Sequence, residues 1–206
     1  MLSIQQLRIQ QQQRLLIENL SLQVAAGEIV TLMGASGVGK STLLSWLIGA
    51  LSPAFTASGQ CYLNQQQIDH LPTEQRQIGI LFQDDLLFPH LSVGGNLAFA
   101  LPAHVKGKAR KQKLEAVLEQ AGLSGFYPRD PSTLSGGQRA RVSVLRALLA
   151  QPRALLLDEP FARLDAELRQ QFRSFIFEEI TKLNIPALLV THDLADRPAQ
   201  GRLLRL

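Results

Sequence analysis

Cysteine is almost absent from this chain: its 206 residues hold one, Cys61, so no internal disulfide can form and a reducing compartment is expected. Nowhere does an apolar run approach the roughly 18 to 20 residues that a membrane-spanning helix needs, which excludes a spanning segment of that kind. The opening stretch MLSIQQLRIQQQQR lacks the basic start and apolar core of a secretory signal, so a cytosolic home is expected. There is no internal repeat, and the one low-complexity patch, Gln10 to Gln13, is expected in a turn between early strands. No single block concentrates the basic charge. The net charge of +4 is spread along the chain, which reads as a solvated basic surface and not a nucleic-acid interface.

What is present is globular. Hydrophobic residues make up 46% and charged residues 18%, at a length that suits one compact domain with room for a subdomain. Short apolar runs at Ile29 to Met33, Ile78 to Phe82, Ala154 to Leu157 and Ala187 to Val190 read as buried strands of a largely parallel sheet. Helical patterns separate them over Lys40 to Ala50 and Ala166 to Leu183, which gives an α/β class. The segment from Asp84 to Ala150 differs, with helical periodicity, Pro and Gly breaks and no strand pattern, and is expected to be a helical insertion. The expected division is one domain over 1–206, with a core of 1–83 and 151–206 and a helical subdomain of 84–150. Within the insertion the densest basic stretch, Lys106 to Lys113, leads into an amphipathic pattern and reads as the charged outer face of a helix.

Gly34-Ala35-Ser36-Gly37-Val38-Gly39-Lys40-Ser41-Thr42 fits G-x-x-x-x-G-K-[ST] and lies between a strand run and a helix pattern. Glycines let the backbone fold closely around phosphates, so that successive N–H groups and the helix start face the negative charge. Lys40 then reaches the β and γ phosphates, Ser41 is placed as a Mg²⁺ ligand, and Thr42 adds a phosphate contact. Ala154-Leu155-Leu156-Leu157-Asp158-Glu159-Pro160 has the form of a Walker B strand, with apolar residues burying the strand and acids at its carboxyl end. Asp158 is expected to hold Mg²⁺, and Glu159 to polarise the water that attacks the γ phosphate. Alone, such an Asp-Glu pair is also a common way to end a strand.

Leu134-Ser135-Gly136-Gly137-Gln138 narrows the reading. A lone S-G-G is usually a helix-capping turn, yet this is a second anion-binding element in a chain that already has one. The pentapeptide resembles the signature of the ATP-binding cassette (ABC) family, and it stands ahead of the Asp158 strand in the family's order. The resemblance implies a P-loop NTPase core with a mainly parallel sheet, an inserted helical subdomain and a small N-terminal antiparallel β part. It also implies ATP and Mg²⁺ as ligands and a head-to-tail homodimer, in which the signature of one subunit closes over the nucleotide on the P-loop of the other.

Three further landmarks match in order. Gln83 resembles the Q-loop glutamine that touches Mg²⁺ or the attacking water, and otherwise reads as a polar strand terminator. Asp165, in Phe161-Ala162-Arg163-Leu164-Asp165, occupies the D-loop place facing the partner subunit and also suits a helix N-cap. His192 resembles the switch histidine that reads the γ phosphate. His70, His90 and His104 have no such context. Two positions depart from the family. Near Gln11, where many members stack an aromatic residue on adenine, there is none, so that stacking surface is missing; Arg163 stands where small residues are frequent.

Phe82-Gln83-Asp84-Asp85-Leu86-Leu87-Phe88-Pro89-His90-Leu91-Ser92-Val93, with Asn96, resembles the Q-loop region of ATPases from bacterial binding-protein-dependent importers of the thiamine, iron, molybdate, sulfate and polyamine group. This implies integral membrane permease subunits as partners, an external solute-binding protein indirectly, and a place on the inner face of the cell membrane. Leu86, Leu87 and Phe88 would line the groove for a permease helix or serve as core. The sequence runs on only to Leu206 after His192, so a minimal cassette lacking a regulatory domain is expected. Soluble ABC-type ATPases acting on nucleic acid or the ribosome fit less well, because about a hundred residues separate P-loop and signature here. A small-molecule P-loop kinase would leave Leu134 to Gln138 unexplained.

Overall fold

A computed structural model describes every residue except Ala103 and Arg163. In chain order its strands are β1 (Leu2–Gln11), β2 (Arg14–Val24), β3 (Ile29–Met33), β4 (Phe55–Leu63), β5 (Gln66–Gln67), β6 (Ile78–Leu81), β7 (Ala154–Asp158), β8 (Ala187–Val190) and β9 (Leu203–Arg205). The helices are α1 (Lys40–Ile48), α2 (Thr73–Arg76), α3 (Val93–Ala100), α4 (Gly107–Gln120), α5 (Gly136–Leu149) and α6 (Ala166–Leu183). The chain forms two compact units, one of Met1–Ile80, Arg153–Glu159 and Phe175–Leu206, the other of Leu81–Pro152 and Pro160–Ser174.

The first unit contains two sheets. β2-β1-β4-β5 are antiparallel, and β6-β7-β8-β3-β9 form a second sheet in which the β7–β8, β8–β3 and β3–β9 pairs are parallel. β7 and β8 are apolar and buried along their length, with only Asp158 partly exposed, as parallel strands covered on both faces must be. β1 instead alternates between buried Leu7 and Ile9 and exposed neighbours, the mark of a sheet with one wet face. Leu43, Leu44 and Leu47 of α1 join Leu2, Ile4, Leu7 and Ile9 of β1 and Leu156, Leu188 and Val190 of the parallel sheet in one apolar cluster. Parallel register aligns Asp158 with Val190 and Leu32 with Val190, so the carboxyl ends of β3, β7 and β8 open on one edge. Ligand sites in open α/β sheets form at that edge.

The far end of α1 is held by a buried cation. Arg76 donates from Nη1 to the carbonyls of Trp46 (2.7 Å) and Leu47 (3.0 Å), and from Nε to that of Leu71 (2.8 Å). The last carbonyls of α1 thereby gain donors, and the guanidinium sits at the negative end of the helix dipole.

In the second unit Leu97 of α3, Leu114 and Leu118 of α4 and Val142, Leu145 and Leu149 of α5 are buried. Its loop from Asp84 to Ser92 is held from within. Asn96, fully buried, accepts from the Phe88 amide (2.8 Å) and donates to the carbonyls of Phe88, Leu91 and Ser92. Arg146 donates to the Leu86 and Asp85 carbonyls and lies 5.3 Å from the centre of the Phe88 ring.

Candidate functional site

The loop from β3 to α1 is built around glycine. At Gly34 a Cβ would fall 2.9 Å from Val38 Cγ1 and 3.0 Å from the Leu206 carbonyl oxygen, and Gly39, at φ +106°, is the N-cap of α1. No acid lies in the first turn of α1, so its unpaired N–H groups keep their positive potential. The Lys40 ammonium reaches back across the loop to the carbonyls of Gly34 (2.8 Å) and Ala35 (2.9 Å). A loop of bare amides crossed by an ammonium and opening a helix is a cradle for phosphate. The β1–β2 hairpin borders it: a Cβ on Gly39 would lie 3.5 Å from Leu16 and Ile17. Gln11, Gln12 and Gln13 at the hairpin end are exposed amides, with no ring among them.

Two acids face this cradle's edge from the end of β7. The Asp158 carboxyl accepts from the Ser41 hydroxyl; burial raises its pKa above the ordinary carboxylate value, an effect that the Ser41 hydrogen bond and Lys40 oppose and Glu159 adds to. A desolvated carboxylate against a hydroxyl, with an ammonium nearby, suits a divalent cation that takes its remaining ligands from phosphate and water. Among the described residues no group of three acids, histidines or cysteines forms a metal cage. Glu159 follows at φ +47°, in the left-handed region where a side chain other than glycine is strained. Its amide bonds the Val190 carbonyl (2.9 Å), and its Oε2 lies 3.2 Å from His192 Nδ1. The side chain of His192 is 66% exposed and that of Glu159 28%, so the pair stands at the sheet edge where a water molecule can reach it.

The residue before His192 is fixed by a contact that sequence reasoning did not find. Thr191, buried, donates its hydroxyl to Asp196 (2.6 Å) and accepts from the Asp193 amide (3.1 Å). Nothing in THDLAD marks Asp196 as buried, because its partner is set by the turn and not by periodicity.

The other sequence-predicted residues lie in the second unit. Ser135 is the N-cap of α5, its Oγ accepting from the Gln138 amide (3.3 Å) while Gln138 Oε1 accepts from the Ser135 amide (3.0 Å), a closed capping box. A Cβ on Gly136 would meet nothing within 4 Å, whereas one on Gly137 would collide with Leu168. Gln83 is exposed and, with Asp85, Gly136, Arg139, Ser143 and Phe172, lines a cavity of about 140 Å³. Arg139 Nε bonds Asp85 Oδ2 at 2.8 Å, which ties the segment after Gln83 to the first turn of α5. Asp165 accepts from the Leu168 amide (3.0 Å), the helix-start bond expected of it. Arg163 lies outside the described residues.

A family model described as ABC transporter matches residues 17–162. An uncharacterized ABC transporter ATP-binding protein of Escherichia coli (strain K12), YnjD, is 56% identical over 204 residues, which is 99% of this chain and 94% of that protein. The Fe(3+) ions import ATP-binding protein FbpC 1 of Haemophilus influenzae is 41% identical over 86% of this chain and 53% of its own length. A probable sulfate/thiosulfate import ATP-binding protein CysA of Chlorella vulgaris is 40% identical over 87% and 75%. Among solved structures, a dimeric bacterial ABC transporter cassette, MJ0796, superposes with TM-score 0.82 at 26% identity over 100% of this chain and 94% of that one. A post-hydrolysis form of that cassette, bound to ADP and Pi, gives 0.81. With its P-loop fold, its paired acids at the end of β7 and its capped helix α5, this chain is an ATP-binding, ATP-hydrolysing member of the ABC transporter family.

Proposed function

We propose that this chain is the ATPase subunit of a binding-protein-dependent importer, driving a small solute across the cytoplasmic membrane from its inner face. The carrying observation is the placement of Asp158, Glu159 and His192 at the carboxyl edge of the sheet that also presents Lys40 and Ser41. Relatives named as importers of ferric and sulfate ions support the direction of transport.

In this reading the Gly34–Thr42 amides and Lys40 hold the phosphates of ATP. Ser41 and Asp158, with Gln83 as the further ligand that the family resemblance implies, would hold Mg²⁺, which would supply neutralisation of the phosphate charge. Glu159 accepts a proton from the attacking water, and His192, in contact with it, orients the carboxylate and senses the γ phosphate. Ser135 to Gln138 face the nucleotide held by a second copy, with the Gly136 and Gly137 amides bare among the described residues while those of Ser135 and Gln138 are taken up by the capping box, and Asp165 faces that copy. Two chains thus assemble head to tail around two nucleotides; the dimeric form of the cassette neighbour supports the pairing of two chains. Closing and opening of this dimer moves permease subunits docked on the Phe82 to Val93 segment, where Phe82 and Leu86 are exposed. The transported solute is chosen by those subunits and an external binding protein.

The test is ATP turnover against protein concentration, together with size exclusion of Glu159→Gln. Turnover per chain should rise with concentration, and Glu159→Gln should dimerise only in MgATP while hydrolysing at least roughly a hundredfold more slowly. Wild-type turnover in that variant would refute the base assignment, and concentration-independent turnover by a monomer would refute the shared site.

A further inference from the structure

His192 meets Glu159 from an exposed position. Its side chain is 66% exposed where the two touch, Nδ1 to Oε2, at 3.2 Å. An imidazole so exposed has little packing to restrict its rotamers, so its direction is set by the backbone that carries it. The strand beneath the pair is fixed first. Glu159 donates its amide to the Val190 carbonyl (2.9 Å) and Thr191 donates its own to the Leu32 carbonyl (3.3 Å), which holds the end of β8 between β7 and β3. Past Thr191 the chain leaves the sheet, and the step to His192 needs another anchor.

That anchor is a single hydroxyl. Thr191 Oγ1 accepts from the Asp193 amide (3.1 Å) and donates to Asp196 Oδ2 (2.6 Å), so the residues on both sides of His192 are tied to the same atom. Thr191 and Asp196 are both buried. A hydroxyl donating to a buried carboxylate makes a charge-assisted bond, roughly twice as strong as a neutral one, and with its proton committed to Asp196 it turns its lone pairs to the Asp193 amide. Asp196 is held in turn by the short 3₁₀ segment that it ends. Its amide donates to the Asp193 carbonyl (3.1 Å), Asp193 Oδ1 accepts from the Ala195 amide (2.9 Å), and the Arg197 amide donates to the Leu194 carbonyl (3.2 Å). Burying a carboxylate costs free energy that a turn leaving a sheet does not require.

We propose, on the role given above to His192, that Asp196 acts through the Thr191 hydroxyl as a positioning residue, holding the His192 ring against Glu159 for hydrolysis. Thr191 and Asp196 thereby bear on turnover through His192 and not through the reacting atoms.

The experiment is phosphate release by the full chain over a series of MgATP concentrations, with and without His192→Ala. Thr191→Val removes the hydroxyl and keeps the shape, and kcat should fall roughly ten- to hundredfold, the loss that a misplacement of about 1 Å brings. KM should change by less than about threefold, because Lys40 and the Gly34–Thr42 amides still hold the phosphates. Thr191→Ser keeps the hydroxyl and should stay within about threefold of wild type. In the His192→Ala background Thr191→Val should cost less than about a further twofold in kcat, the group it positions being gone, while its effect on Tm is the same in both backgrounds. Asp196→Asn, of the same shape with an uncharged acceptor, runs the same cycle if Thr191→Val does not fold, with kcat down at least roughly threefold with His192 present and unchanged without it. In a histidine-labelled chain the His192 ring resonances, assigned by their loss in His192→Ala, should shift in Thr191→Val and keep their place in Thr191→Ser. Wild-type kcat in Thr191→Val, an equal fold loss in both backgrounds, or Thr191→Ser as slow as Thr191→Val would each overturn the proposal. Wild-type turnover by His192→Ala counts against the role given to His192; a slow His192→Ala beside a fast Thr191→Val counts against the positioning alone.

Discussion

Adjacent glycines at the start of α5 separate packing from chemistry. A Cβ at Gly136 meets open space, whereas at Gly137 it would run into Leu168 Cδ2 and fall 2.8 Å from Cγ and 3.0 Å from Cδ1. Replacing Gly136 by alanine removes the entropic cost of glycine in a helix, at most about 1 kcal/mol, so Tm should rise by up to roughly 4 °C in a chain of this size. Replacing Gly137 brings the same gain but must push out the half-buried Leu168 side chain, and overpacking costs about 1–3 kcal/mol. The net is a loss of up to about 2 kcal/mol, or a fall in Tm of up to roughly 8 °C. ATP turnover should follow a different order. Gly136→Ala puts a methyl group on the amides proposed to face the partner's nucleotide, so turnover should drop at least tenfold, about 1.4 kcal/mol, in a protein that melts no lower than wild type. Thermal unfolding by circular dichroism and phosphate release across a concentration series read the two effects separately. If Gly136→Ala melts well below Gly137→Ala, the packing assignment is inverted. If Gly136→Ala turns over ATP like wild type, the start of α5 does not meet nucleotide.

Burial raises the pKa of Asp158, so the ionised carboxylate is disfavoured in the folded chain. Stability from this group is fully present below the ordinary carboxylate pKa and is lost as pH rises through the higher folded value. Asp158→Asn should therefore raise the Tm of the nucleotide-free chain at neutral pH, with the gain shrinking in acid, while abolishing Mg²⁺-dependent turnover; a gain that grows in acid would contradict this. Arg76→Ala leaves the Trp46 and Leu47 carbonyls without their donor at the end of α1 and should cost about 3 kcal/mol, read as a lower urea midpoint at unchanged slope. Arg76→Lys should recover little of it, because one ammonium cannot span the carbonyls that the planar fork reaches.

Elements whose signal is local are legible in the residue order alone. β3 and β8 and helix α6 have the bounds that their apolar runs and helical spacing indicate, and β7 extends one residue further, to Asp158. Buried parallel strands announce themselves as unbroken apolar runs, and a P-loop must follow one and open a helix. The turn expected over Gln10 to Gln13 falls at Gln12–Gln13, with Gln10 and Gln11 still in β1, and the capping of α5 by Ser135 is legible for the same reason. β4, β5 and β9 are not. FTASGQCYL is weakly patterned because the small Ala57 and Gly59 stand at its more buried positions, and it becomes a strand by pairing with β1, some fifty residues earlier in the chain.

Residue order by itself determined the chemistry on offer: a phosphate cradle at Gly34–Thr42, acids at Asp158 and Glu159, and a second helix-start amide site at Ser135–Gln138. Each of these depends on backbone conformation over a few residues, which local sequence controls. Tertiary structure decided the rest. It placed Glu159 at φ +47° against His192, set half-buried Asp158 beside Ser41, closed Thr191 onto Asp196 and turned Arg76 onto the end of α1. Except for the turn that closes Thr191 onto Asp196, these contacts join elements far apart in the chain, and only the alignment of three parallel strands brings Asp158, Glu159 and His192 to a common edge.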